Sequence, residues 1–230
     1  VPEEVLVLTM KQDQKCFMLR GKATGKLAPN FIFVANLEPS DGGATVVRGN
    51  ERVVTARLSD ARFFWQQDLK TTLEARLPQL SNIVFHKTLG LLSERVERLG
   101  TLSHYLADFV PGADSAQVAE AARLSKADLV SSMVYEFPEV QGTMGRYYAL
   151  KEGRPTEVAN AIAEHYAPLG PSDDCPTAPV SVVLALAEKL DTLAGFFGID
   201  QLPAGSRDPY ALRRAALGVI RLITENSIRL

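Results

Sequence analysis

The stretch VVLALAEKLDTLAGFFG, residues 182–198, decides the fold. It is apolar at Leu184, Ala187 and Leu190 among other positions and reads as a core helix running to about Phe197. Glu188 and Asp191 are set into it three residues apart, with Lys189 between them. Helical spacing puts both acids on one face. Either they hold a metal and do chemistry, or they are ion-pairing acids in a helix whose work is packing.

The rest of the chain bounds the choice. Its 230 residues suffice for one large domain or two small ones, and a 46% hydrophobic content supplies a real core. The net charge of −2 means that any nucleic-acid contact comes from a local basic patch, not a global field. Cys16 and Cys175 match no metal or redox spacing and read as ordinary thiols in a reducing compartment. No apolar run reaches transmembrane length. The opening, VPEEVLVLTM, has neither an initiator Met nor a signal-peptide pattern, so the sequence reads as an internal fragment.

Organisation changes once along the chain. The first fifty residues read as strands and turns, with apolar runs at Val5–Leu8 and FIFVAN (31–36) and a turn at LEPSDGGA (37–44). Helical periodicity then takes over. Asn50 is placed to cap a helix carrying Val54, Leu58, Ala61, Trp65, Leu69 and Leu73, with Pro78 beyond its end. A second helix is predicted over 82–109, striped by Leu89, Leu92, Val96, Leu99, Leu102 and Leu106. Ser115 is placed to cap a helix to about Val134, and FPEVQG (137–142) reads as a turn. Helices follow at 143–151 and 156–168, and Asp208-Pro209 reads as cap and first turn of a last helix. The expected domains are 1–78, the C-terminal part of an α/β domain ending in a long helix, and 79–230, all helical.

Motifs for chemistry are scarce. The histidines are His86, His104 and His165; none precedes an Asp, and HxxxH and HExxH are absent. GxGxxG, GxxxxGK[ST] and GxSxG are absent too. The basic residues are more suggestive. Arg207, Arg213 and Arg214 cluster at the start of the last helix, and Lys126 and Arg146 lie near interhelical segments. Arg suits bidentate phosphate contact, but exposed charge is also ordinary helix surface.

Five segments together resemble a known family: SDARFFWQQDLK (59–70), KADLVSSMVYEFPEVQGTMGRYYAL (126–150), AEHYAP (163–168), ALAEKLDTLAGFFGI (185–199) and PAGSRDPYALRRAALG (203–218). In this order they are similar to the interior of the β subunit of bacterial tetrameric glycyl-tRNA synthetase. The resemblance implies a mainly α fold: an HD-domain-like helical module preceded by the end of an editing-type α/β domain. It also implies a cytoplasmic α2β2 enzyme in which the α subunit uses ATP to join glycine to tRNA(Gly), while β supports tRNA recognition. No membrane contact is implied.

A working HD site needs a first His, a His-Asp pair and a later Asp around a metal that activates water. Against that pattern the pair reads Ala127-Asp128, Glu188 stands for the later Asp, and His104 is the sole candidate for the first His. The resemblance therefore implies degenerate HD positions, no metal and no cofactor in this segment, and no catalytic residue. Three functions follow as expectations: a non-catalytic tRNA-positioning segment with Lys126, Arg146, Arg207, Arg213 and Arg214 on the RNA backbone; an active HD-type phosphohydrolase on a nucleotide; or an architectural module that docks on α. Asp191 is expected to pair near Lys189 or with an Arg of the last helix.

Overall fold

The structure, a computed structural model, describes residues 1–36 and 38–229. Leu37, at the head of the LEPSDGGA turn, lies outside them. The elements begin with α1 (Glu3–Leu8), a π-helical turn (Thr9–Asp13), β1 (Phe17–Arg20), β2 (Leu27–Ile32), α2 (Ala44–Asp68) and α3 (Leu73–Arg76). A 3₁₀ turn (Leu77–Asn82), β3 (Val84–His86), β4 (Gly90–Leu91), α4 (Leu92–Ala107) and α5 (Ser115–Leu124) follow. Next come a 3₁₀ turn (Ala127–Val130), α6 (Ser132–Glu136) and another 3₁₀ turn (Pro138–Val140). The chain closes with α7 (Thr143–Lys151), α8 (Thr156–Glu164), α9 (Pro179–Gly198) and α10 (Leu212–Glu225). The fold is mainly α.

Two units form. Val1–Lys70 with Ser132–Val140 make the first, and Thr71–Ser131 with Gln141–Leu230 the second. Residues 71–78, placed with the first part by sequence, belong to the second unit because α3 packs on the 127–130 turn and α7. The excursion of 132–140 into the first unit has a local cause. The Asp68 carboxylate accepts from the amides of Ser132 and Met133, both at 2.9 Å, and so caps α6 from α2.

In the first unit, residues 5–8 are helical, not extended. Glu3 and Glu4 sit in the first turn of α1, where acids complement the helix dipole, and Val5 is fully buried. The second strand lies earlier than FIFVAN: only Phe31 and Ile32 of that run are in β2, opposite Met18 and Phe17 of an antiparallel hairpin. A small core of Met10, Cys16 and Val54 is flanked by Met18, Phe31, Phe33 and Leu58. Helix α2 starts before Asn50 because Asp41 does the capping, accepting from the amides of Gly43 and Thr45. Asn50 sits inside the helix and donates to the Val46 carbonyl.

The second unit is built around α9, whose residues Val180–Ala187 are all buried. A helix apolar on all sides needs neighbours all round, and α4, α5, α8 and α10 supply them. The helix predicted over 82–109 begins only at Leu92; a β3–β4 hairpin replaces its first turns. Gly90 forces the break. Its φ is +87°, and a Cβ there would sit 2.0 Å from Glu94 Oε2, which caps the helix through the Leu91 amide. The helix expected from Ser115 to Val134 ends at Leu124, and its cap is Asp114, which accepts from the Gln117 amide. Asp208 does cap the last helix, through the Leu212 and Arg213 amides. Pro209 lies in the turn before it, since Ala211 takes a left-handed φ of 54° and the helix starts at Leu212.

Candidate functional site

The acids of α9 lie on the face that α4 packs against, and each is met by cations. Glu188 Oε1 accepts from Arg95 Nη2 at 2.9 Å and from Lys126 Nζ at 3.0 Å. Asp191 accepts from Arg98 Nε at 2.7 Å, and its Oδ2 lies 3.4 Å from Arg95 Nε. Both partners of Asp191 are on α4, not near Lys189 or on the last helix as the sequence led us to expect. Thr192 Oγ1 completes the set, accepting from Arg95 Nη2 at 2.7 Å and donating to the Glu188 carbonyl. The Arg95 guanidinium rests 3.9 Å from the Phe85 ring centre.

Lys126 ties this group to α8. Its Nζ is 2.8 Å from His165 Nε2 and 3.9 Å from the Tyr166 ring centre. His165 Nδ1 lies 2.7 Å from the Ile162 carbonyl. The carbonyl can only accept, so Nδ1 carries the proton and Nε2 accepts from the ammonium. Burial, reinforced by the Lys126 charge, pushes His165 down to about 3, so the ring is neutral. Burial also pushes Lys126 down to about 8, against the pull of Glu188. Burial alone would raise Glu188, but Lys126 and Arg95 overcome it and hold the carboxyl at about 2. At neutral pH the buried group is an ion-pair network with a neutral imidazole at its edge.

Asp128 does something different. Its Oδ2 accepts from the amides of Gly142 and Gly145 at 2.6 and 3.1 Å and so caps α7, while Oδ1 has no hydrogen-bond partner among the described residues. Burial raises this carboxyl to about 6 although both amides and Lys126 pull it down. Gly145 is required for the cap: a Cβ there would lie 2.5 Å from Ile162 Cγ2.

This donor set does not fit a divalent metal. Ala127 offers no ligand atom, Asp128 is committed to two amides, and Glu188 already carries two cations that would repel a third. Among the described residues no group of three or more His, Cys, Asp or Glu side chains is placed to hold a metal. Nor do the histidines converge. His104 is exposed on α4, while His86 packs its ring against Phe196 and Tyr210.

The basic candidates separate. Lys126 is a correction: it is 3% exposed and committed to Glu188 and His165, so it cannot reach an RNA backbone. Arg146 is half-buried and donates to Asn160 Oδ1 at 2.8 Å. Arg207, Arg213 and Arg214 are exposed around the head of α10 with no contact at ion-pair distance among the described residues, though the Arg213 and Arg214 charges help the capped amides hold the Asp208 carboxyl below its usual range. Sequence reasoning missed Arg95 and Arg98, and it named His165 and Lys189 without giving them a role in a site. Arg95 did leave a signal, a charge on the buried stripe between Leu92 and Leu99, where an arginine survives only with an internal partner.

Beside the network lies a cavity of about 230 Å³, bordered by Tyr166, Pro168, Glu188, Lys189, Tyr210 and Arg214. Tyr210 is held by stacking on Phe196, with ring centres 4.0 Å apart. Lys189 donates to the Tyr166 carbonyl at 3.0 Å, and burial lowers its ammonium to about 8. A wider groove of about 1120 Å³ runs along α4 and α9 beneath the β3–β4 turn, with Tyr105 exposed on its rim.

The family model for the glycyl-tRNA synthetase beta subunit matches residues 1–230. The chain belongs to that family. Similar proteins include the glycine–tRNA ligase beta subunit of Ruegeria sp. (strain TM1040), 53% identical over 100% of this chain and 34% of that protein. The Rhodospirillum centenum subunit is 56% identical over 100% of this chain and 32% of its own length. That of Neisseria meningitidis serogroup C is 51% identical over 98% of this chain and 32% of its length. The chain thus spans about a third of the length of these glycyl-tRNA synthetase beta subunits. No helix among the described residues is long and apolar enough to cross a membrane.

Proposed function

We propose that this segment does no bond chemistry itself and, within a complete glycine–tRNA ligase, helps hold the acceptor end of tRNA(Gly) at the α subunit, where ATP-dependent glycylation takes place. The observation that carries the proposal is the exposed trio Arg207, Arg213 and Arg214 at the head of α10, cations with no ion pair among the described residues. Exposed guanidinium groups suit phosphate, and their contribution is positional: orientation lowers the barrier without acid–base work. Arg146 is a secondary contact.

In this reading the second unit is an HD-like module with Ala127, Asp128 and Glu188 at its former metal positions, and the first unit is the end of an editing-type α/β domain. The network Lys126–Glu188–Arg95 then replaces a metal by buried cations of the chain itself. The assembly is a cytoplasmic α2β2 enzyme, and ATP belongs to α. The groove along α4 and α9 favours a second, compatible reading, docking on a partner subunit.

Electrophoretic binding of tRNA(Gly) at low and high salt tests the proposal. Binding should weaken steeply with salt and weaken further when the three arginines become alanine. Unchanged affinity in the triple variant overturns the RNA reading and leaves the docking one.

A further inference from the structure

The cavity beside Arg214 has features that the family assignment does not explain. Its volume of about 230 Å³ falls below the roughly 300–1,000 Å³ of ordinary ligand pockets. That size suits one planar group, not a helix or a peptide. The walls are apolar and aromatic surface: Pro168 is buried, Tyr166 packs against His165, and Tyr210 stacks on Phe196. Glu188 borders the space, but its Oε2 is sealed from it, buried with no hydrogen bond among the described residues. Arg214 stands at the border, exposed and without an ion pair among the described residues.

An aromatic-walled slot and an exposed guanidinium correspond to two parts of one nucleotide, base and phosphate. Proteins read single-stranded RNA by stacking splayed bases on aromatic rings and bonding their edges. We propose that this cavity receives a single unpaired nucleotide, its base against the Tyr210 and Pro168 walls and its phosphate on Arg214. The proposal rests on the RNA reading above and goes beyond it: the surface holds an extruded base as well as backbone.

The test compares a short single-stranded RNA with an abasic oligomer of the same length, both binding the 230-residue chain and followed by fluorescence anisotropy. The abasic strand keeps the phosphates and lacks every base. The chain should bind the base-bearing strand about tenfold tighter, the scale of one stacked base. Ala215→Phe, which fills the cavity without changing charge, should abolish that preference and leave both abasic binding and the salt dependence of tRNA binding intact. Equal affinity of the unmodified chain for the two strands overturns the proposal, and this comparison needs no variant. A preference that persists in Ala215→Phe overturns it as well. Neither result touches the backbone reading, which fails only if the arginine substitutions leave tRNA affinity unchanged.

Discussion

Lys126 Nζ lies 3.0 Å from Glu188 Oε1, and both side chains are almost fully removed from solvent. The contact turns an acid with the spacing of a metal ligand into one half of an internal ion pair. Arg95 adds a second cation at 2.9 Å, so the carboxylate is saturated on one oxygen.

Glu188→Gln should therefore destabilise the second unit by about 3 kcal/mol, because two buried cations lose their main counter-charge. Lys126→Met should cost less, since Arg95 remains on Glu188. The double variant should cost less than the sum of the two. Urea unfolding followed by circular dichroism gives the coupling.

Asp128 predicts a pH-dependent gain. Its carboxyl keeps its proton up to about pH 6 when folded but releases it near 3.8 when unfolded. The folded state thus binds more protons in that window, and this contribution to stability falls as pH rises through it. Asp128→Asn removes the loss, so it should stabilise the chain by on the order of 1–2 kcal/mol at pH 7 and by nothing near pH 4. Thermal melts at the two pH values read the difference.

His165 has the opposite sign. Its folded value of about 3 lies below its ordinary 6.5, so the unfolded chain takes up the proton first as pH falls. Stability should drop between about pH 6.5 and 3, and more steeply in Asp128→Asn, where the opposing contribution is gone. Stability measured across that range in both proteins checks it.

Gly145→Ala should destabilise by about 1–3 kcal/mol, because its methyl would meet Ile162 Cγ2 at 2.5 Å and press on the Asp128 carboxylate. Denaturant midpoints measure the loss.

Converting Arg207, Arg213 and Arg214 to alanine should reduce the slope of log affinity for tRNA against log salt by roughly 2–3, about one released counterion per lost phosphate contact. A salt titration of tRNA binding with both proteins gives the slopes.

Legibility followed the range of the interactions involved. The helices at 143–151 and from 182 to about Phe197 stood out in the sequence because periodicity and end signals act over a few residues. The hairpin hidden in 82–109 did not, since Leu89 continues the leucine stripe while the helix is broken by the positive φ of Gly90 and the Glu94 cap on the Leu91 amide. The run Val5–Leu8 looked extended by composition, yet it closes a helical turn that buries Val5.

By itself the sequence determined the mainly helical class, the central apolar helix, the absence of a histidine at position 127 and, through five matching segments, the family. Tertiary structure alone decided what the acids do. Arg95 is 93 residues from Glu188 and Lys126 is 62. No local pattern reports pairings over such distances, because burial, not sequence proximity, selects the partner of a buried charge. The same packing separated Lys126, enclosed in the core, from Arg207, Arg213 and Arg214, left in solvent where phosphate can reach them.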